Sequence, residues 1–330
     1  MASSIPRRPL GSTGLEVSIL GFGASPLGGV FHAIDESVGV QAVHEAFKQG
    51  INFFDSSPYY GATESERVLG LGLKDLPRDK IVVATKVGRY GPEEKDFDFS
   101  ADRVKRSVAE SLARLQIPYI DIIQCHDIEF GDLDQVINET LPALHELKQQ
   151  GLVRHVGITG LPLGIFKYVL DRVPAGTVDT VLSYCHNSLN DTALSDFMPY
   201  LKQKGVGVIS ASPLSMGLLT PQGPPTWHPA PEEVQAAAKR AAKVAEAAGA
   251  NIAQLAIQDT LLCEGVATTL VGMSDPETLK RNVDTVLEAV AAGGVPEAHR
   301  AALAAVKQEL APVHNVTWPS GRPANSSLPY

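Results

Sequence analysis

Residues 81–124 run as Ile81-Val-Val-Ala-Thr-Lys86, a polar interval, a segment from Ser100 with Val104, Val108, Leu112 and Leu115 at helical spacing, and then Tyr119-Ile-Asp-Ile-Ile-Gln124. The two flanking runs are too short for helices and rich in β-branched residues, so they read as buried strands. Ser100 stands where a helix N-cap belongs. A helix between two such strands argues for parallel pairing through a right-handed crossover.

The same grammar extends in both directions. Upstream lie Ser18-Ile-Leu-Gly-Phe-Gly23, a helix with Val40, Val43 and Phe47 stopped by Gly50, and Ile51-Asn-Phe-Phe-Asp55. Downstream come a helix with Leu133, Ile137, Leu141 and Leu144, then runs at 153–159, 178–182, 206–210 and 266–271, separated by helices near 162–172, 191–203, 251–263 and 276–290. Eight strand–helix repeats in a chain of this length favour a closed (β/α)8 TIM barrel over an open sheet. We expect one domain over 1–330, with the barrel at about 18–290 and a C-terminal helix and tail over 291–330. A hairpin is expected at about 8–17, centred on Leu10-Gly-Ser-Thr-Gly-Leu-Glu-Val17. Residues 211–234 form a Pro- and Gly-rich insert leading to an Ala-rich helix near 232–249. The tail from Pro312 is irregular and is placed across one end of the barrel.

Composition narrows the function. The 330 residues hold 28 Lys and Arg against 37 Asp and Glu, a net charge of −9, with no basic run to recommend nucleic acid or an anionic membrane as a partner. Cys125, Cys185 and Cys263 are too few and too odd in number for a disulfide framework, which suits a reducing, cytoplasmic setting. No apolar run is long enough to span a bilayer.

Barrel enzymes carry their chemistry at the carboxyl ends of the strands. Those positions hold Asp55, Lys86 and His126, and the loop Ser56-Ser-Pro-Tyr-Tyr-Gly61 adds Tyr59 and Tyr60. A tyrosine has an ordinary pKa of about 10, too high for proton exchange near neutrality unless a neighbouring ammonium favours the phenolate. Lys86 supplies that charge, Asp55 its counter-charge, and His126 a hydrogen bond to a carbonyl or hydroxyl oxygen. The chemistry alone does not choose between Tyr59 and Tyr60. A core histidine, a packing tyrosine and polar strand ends are the bland alternatives.

Asp55-Ser-Ser-Pro-Tyr-Tyr-Gly-Ala-Thr-Glu-Ser-Glu-Arg-Val-Leu-Gly70 resembles the signature of the aldo-keto reductase superfamily, as do Leu10 to Gly23, Thr85-Lys86, Gln124-Cys-His126, Gly151 to Thr159 and Ser212 to Leu219. The resemblance implies that Asp55, Tyr60, Lys86 and His126 form a catalytic tetrad beside a nicotinamide cofactor. Ser183-Tyr-Cys-His186, Ala211 to Gly217 and Thr317-Trp-Pro-Ser-Gly321 are most similar to the plant L-galactose dehydrogenases within that family. This implies oxidation of the anomeric carbon of L-galactose to its lactone, on the route to ascorbate, with a small sugar as partner. Tyr59, His126 and Tyr184 are the candidate substrate contacts.

The chain departs from the family pattern around the cofactor. Thr159 and Gly160 stand where a Ser-Asn pair usually holds the carboxamide, Ser183 replaces a glutamine, and Ala211 replaces the tyrosine on which nicotinamide stacks, leaving Tyr184 as a substitute aromatic face. Ser212, Leu214, Met216 and Gly217 lie in the loop expected to approach the pyrophosphate. Gly272, Ser274, Thr278, Arg281 and Asn282 match the adenosine region. Gly272 and Thr278 occupy the two positions where NADP-preferring relatives carry cations, with Asp275 and Glu277 nearby, so the expected cofactor is NAD. Lys280 and Arg281 are the nearby cations able to swing inward.

Three rival readings remain. A zinc site from Cys125-His126 and Cys185-His186 fails because adjacent strand residues face opposite ways; no metal is expected. A nucleotide-binding regulatory subunit is opposed by the intact tetrad. An enzyme acting on another aldose, such as L-fucose or D-arabinose, or on an aldehyde, keeps the chemistry and changes only the substrate.

Overall fold

The computed structural model describes residues 4–30 and 33–321. Arg7–Pro9 (β1) and Glu16–Ser18 (β2) form an antiparallel hairpin. The barrel follows as Leu20–Gly23 (β3), Phe53–Asp55 (β4), Val82–Val87 (β5), Ile120–Cys125 (β6), Val153–Gly160 (β7), Thr180–Tyr184 (β8), Gly207–Ala211 (β9) and Val266–Gly272 (β10). All eight pair in parallel, and β10 closes on both β3 and β9. The (β/α)8 reading therefore holds. The hairpin turn is longer than expected, 10–15, because the Leu10 N–H and the Thr13 hydroxyl close it locally onto the Leu15 and Leu10 carbonyls.

Strand pleating sorts the side chains into two cores. Phe53, Ala84, Ile122, Leu182 and Ile209 fill the barrel interior, and Leu10 and Val17 of the hairpin join them. Phe22, Phe54, Val83, Ile123 and Val156 point outward into the layer beneath the helices. The hairpin plugs the amino end of the barrel closely: a Cβ on Gly11 would fall 2.4 Å from the Gly207 backbone nitrogen.

Two local expectations change. Ser100 occupies the N-cap of helix Ala101–Leu115 but its side chain makes no capping bond; the Glu139 carboxylate accepts the Ala101 N–H at 2.7 Å instead. Glu139 lies in a π-helical stretch, Val136–Thr140, that interrupts the following helix between Leu133–Gln135 and Leu141–Gln149. The run expected at 178–182 is a strand two residues later, β8. A shift of two leaves each side chain on its original face and brings Tyr184 into the strand.

Helix Glu232–Ala247 follows the insert and packs on an additional C-terminal helix, Glu297–Leu310, in a second apolar cluster that includes Trp318. The tail then crosses the carboxyl end of the barrel, where Trp318 to Gly321 line its cavity. The remainder of the expected tail, 322–330, lies outside the described residues. No helix among the described residues is long and apolar enough to cross a membrane.

Candidate active site

The inward faces of β4, β5 and β6 end in polar groups at the carboxyl mouth. One pleat beyond Phe53 is Asp55, beyond Ala84 is Lys86, and beyond Ile122 is Gln124. Lys86 Nζ donates to Asp55 Oδ1 and, at 2.8 Å, to the Ser56 carbonyl. Gln124 Nε2 donates to Asp55 Oδ2 at 2.9 Å, so both carboxylate oxygens are held. Burial works against the charge on Lys86, but Asp55 and the Tyr60 phenol outweigh it and hold the ammonium above the ordinary lysine value.

Tyr60 follows on the loop after β4. Lys86 Nζ lies 4.9 Å from its ring centroid, and the ammonium charge favours the phenolate. Tyr59 instead lies against Arg89, 3.9 Å from the guanidinium carbon. The geometry therefore separates the two tyrosines that the chemistry of the sequence left open. The loop is fixed by close backbone approach: a Cβ on Gly61 would fall 2.0 Å from the Gly28 carbonyl oxygen, and Ser65, bonded to Ser56 Oγ at 2.8 Å, donates to the Ala24 carbonyl at 2.7 Å.

The Tyr60 phenol does not follow the expectation that Lys86 brings it below its ordinary value. Burial pushes it up, and the Asp55 and Asp127 carboxylates add to that rise, which Lys86 only partly offsets. Tyr60 is thus a neutral phenol in the protein by itself. His126 meets the Tyr60 ring edge-on, with centroids 5.7 Å apart. Burial in this site pushes its imidazole down to about 3, so it is neutral across the physiological range.

Two residues absent from the sequence reading complete the wall. Asp127, in left-handed backbone at φ 48°, pairs with Arg89, and both line the cavity with His126. Asp127 lies one residue past His126 and Arg89 three past Lys86, beyond the strand ends where a polar residue is conspicuous in sequence. A cluster of ionisable residues just past a strand end was the available signal.

The cavity has a volume of about 1020 Å³, at the upper end of the usual range for ligand sites. It runs from Asp55, Tyr60, Lys86 and His126 to Ser274, Asp275 and Thr278, with Tyr59 and Tyr184 on its walls and the half-exposed Trp227 at its rim.

Residues 19–291 match the sequence profile of the Aldo/keto reductase family. The chain belongs to that family. It is similar to the L-galactose dehydrogenase of Arabidopsis thaliana, 56% identical over 97% of this chain and 98% of that protein. It is also similar to the D-arabinose 1-dehydrogenase of Saccharomyces cerevisiae, 36% identical over 72% of this chain and 73% of the relative. Among solved structures, the holo form of an aldo-keto reductase from Bacillus halodurans superposes with a TM-score of 0.73, at 28% identity over 96% of this chain and 98% of the other.

As an aldo-keto reductase the chain is an oxidoreductase working with a nicotinamide cofactor. Of the residues matched to that cofactor, Thr159, Ser212, Leu214, Met216, Gly217, Gly272, Ser274 and Thr278 line the cavity. Ser212, Met216 and Gly217 have left-handed backbone, at φ 56°, 54° and 98°. Three others are placed apart from it. Ser183 is buried on the β8 face opposite Leu182 and Tyr184, Asn282 is buried on helix Pro276–Ala292, and the Arg281 guanidinium rests on Thr278 Oγ1 at 3.0 Å. The Thr159 hydroxyl is already engaged: it accepts the Asp127 N–H at 2.9 Å and lies 3.3 Å from Asp127 Oδ1.

A dinucleotide suits this cavity. It is larger than a single sugar needs, has an aromatic wall at Tyr184 in register with the small Ala211, and ends among short polar side chains. Cys125 turns outward from the barrel while the adjacent His126 turns into the cavity, so that pair does not converge on one metal. No group of three or more potential metal ligands occurs among the described residues.

Proposed function

We propose that this aldo-keto reductase is an NAD-dependent aldose dehydrogenase that oxidises the anomeric carbon of L-galactose to the lactone. The observation that carries the reading is the meeting of Tyr60, Lys86, Asp55 and His126 at the inner end of one large cavity whose far end is acidic. The similarity to the Arabidopsis L-galactose dehydrogenase supports L-galactose as the sugar.

In this reading a bound oxidised nicotinamide supplies the two-electron acceptor. Tyr60 takes the C1 hydroxyl proton once its own has left, and the Lys86 ammonium stabilises the phenolate. Asp55 and Gln124 keep Lys86 aimed at the phenol. His126, neutral, donates a hydrogen bond to the C1 oxygen. Arg89 and Asp127 offer donors and an acceptor to further ring hydroxyls, as a polyhydroxyl substrate requires, with Tyr59 and Tyr184 as walls.

The preference for NAD rests on charge. Although burial works the other way, hydrogen bonds from Thr278 hold the Asp275 carboxyl below its usual range, so it is ionised at neutral pH. Lys280 is tied to Asp284 and Arg281 to Thr278. A 2′-phosphate would meet an anion at the cavity's end rather than a clamp of cations.

The yeast relative supports a second reading, oxidation of D-arabinose. That sugar shares the configuration of L-galactose at C2 to C4 and lacks its C5 substituent, so the same ring contacts serve both. A panel of L- and D-aldoses assayed with NAD and NADP, following absorbance of the reduced cofactor, tests both readings. L-Galactose with NAD is expected to give the highest kcat/KM, and a higher value for any other pair replaces this assignment.

A further inference from the structure

Ser57 lies two residues beyond Asp55, fully buried, and has no task in the chemistry described so far. Its Oγ is 3.0 Å from His126 Nδ1 and accepts the Tyr59 N–H at 3.1 Å. The second contact sets the direction of the first. With an oxygen lone pair facing the Tyr59 amide, the hydroxyl proton needs an acceptor, and Nδ1 is the one available to it among the described residues. An Nδ1–H donating to Oγ would leave a buried hydroxyl proton unpaired.

The other ring nitrogen agrees. Nε2 is 3.6 Å from Asp127 Oδ2, where a proton meets a carboxylate and a lone pair would be repelled by it. At 3.6 Å that proton is not captured by Asp127, so it remains available to a substrate oxygen.

We propose that Ser57 is a positioning residue that donates its hydroxyl proton to His126 Nδ1 and so fixes the imidazole as the Nε2–H tautomer. The tautomer stands on contacts within the protein alone; its catalytic consequence rests on the dehydrogenase reading above. A C1 oxygen that accepts from Nε2 must direct its own proton elsewhere, and Tyr60 stands on the other side of it. With the opposite tautomer, Nε2 would present a lone pair, and the sugar hydroxyl would donate to His126 in an orientation unproductive for Tyr60.

The test is the ring 15N spectrum of protein labelled at histidine, with the His126 signals assigned by their loss in His126→Asn. Two-bond correlations to the ring carbon protons are expected to show Nδ1 unprotonated and Nε2 protonated. The reverse pattern overturns the proposal whether or not any sugar is oxidised. Ser57→Ala is expected to raise the Nδ1–H population and lower kcat/KM about tenfold, by analogy with the outer partners that orient metal-bound histidines, while Ser57→Thr keeps the wild-type pattern. Unchanged tautomer and kcat/KM in Ser57→Ala would reduce Ser57 to packing and overturn its role. If that variant does not fold, the wild-type and Ser57→Thr spectra still decide. An Nε2–H pattern in a protein that oxidises no aldose would count against the proposed substrate, not against Ser57.

Discussion

The two ends of the barrel are built from the same strands one pleat apart, and they are opposite in character. At the amino end, Phe53, Ala84, Ile122 and Ile209 form a hydrocarbon interior closed by Leu10 and Val17. Two residues further along, the strands place Asp55, Lys86, Gln124 and Ala211 at the mouth. Burying an ion pair costs desolvation that its attraction only partly offsets. Burying hydrocarbon is favourable by about 25 cal/mol per Å². The amino end thus supplies stability, and the carboxyl end is maintained at its expense for the sake of reactive groups.

The largest expected effect falls on the mouth alone. Tyr60→Phe removes the proton acceptor, a contribution commonly worth about 10²–10⁴ in rate, so kcat is expected to fall by about a thousandfold. Cofactor binding, followed by quenching of the Trp227 and Trp318 fluorescence, and the denaturation curve should both stay close to wild type. Retention of full activity would remove Tyr60 from the chemistry. The matching change at the other end is Leu10→Ala, which leaves a cavity at the sealed floor. It is expected to lower unfolding stability by about 3 kcal/mol in urea titrations, with kcat and KM nearly unchanged. A comparable loss of activity at both sites would mean that the two ends are coupled rather than divided in labour.

The division was unevenly legible in the sequence. Strand periodicity and the run of eight repeats are local signals, and they yielded the barrel with β8 displaced by two residues. Asp55, Lys86 and His126 stood out because a polar group ending an apolar strand is visible one residue at a time. Tyr60 over Tyr59 was not legible from chemistry, since the choice depends on which ring meets Lys86 and which meets Arg89. Asp127 and Arg89 escaped notice because they lie past the strand ends, and their pairing exists only in three dimensions. Ser100 misled for the same reason: the first helical N–H, of Ala101, is capped by Glu139, 38 residues beyond Ala101 in sequence.

At the far end of the cavity the contrast between a charged mouth and a neutral interior becomes one between cofactors. Asp275→Asn combined with Thr278→Arg exchanges an anion for a cation where a 2′-phosphate would lie. Solvent-exposed charge pairs are worth about 0.2–1 kcal/mol each, so the ratio of kcat/KM for NADP over NAD is expected to rise by about tenfold in steady-state assays. A ratio that does not move would place the adenosine ribose elsewhere.

The smallest effect is a titration that is absent. His126 is pushed down to about 3 by burial, with Lys86 and Arg89 reinforcing that direction and Asp127 opposing it. It therefore stays neutral and does not titrate between pH 5 and pH 8. Tyr60, raised by burial, must shed its proton before it accepts one from the sugar. For oxidation, kcat/KM should climb with pH toward a basic limb set by the phenol, with no inflection near the ordinary histidine value of about 6.5. Asp127→Asn removes the one group that holds the imidazole up, so it lowers that pKa further and should likewise create no inflection. An inflection near 6.5 that disappears with His126→Asn would show instead that the imidazole is hydrated in the working enzyme, and that the mouth is wetter than its buried ion pair implies.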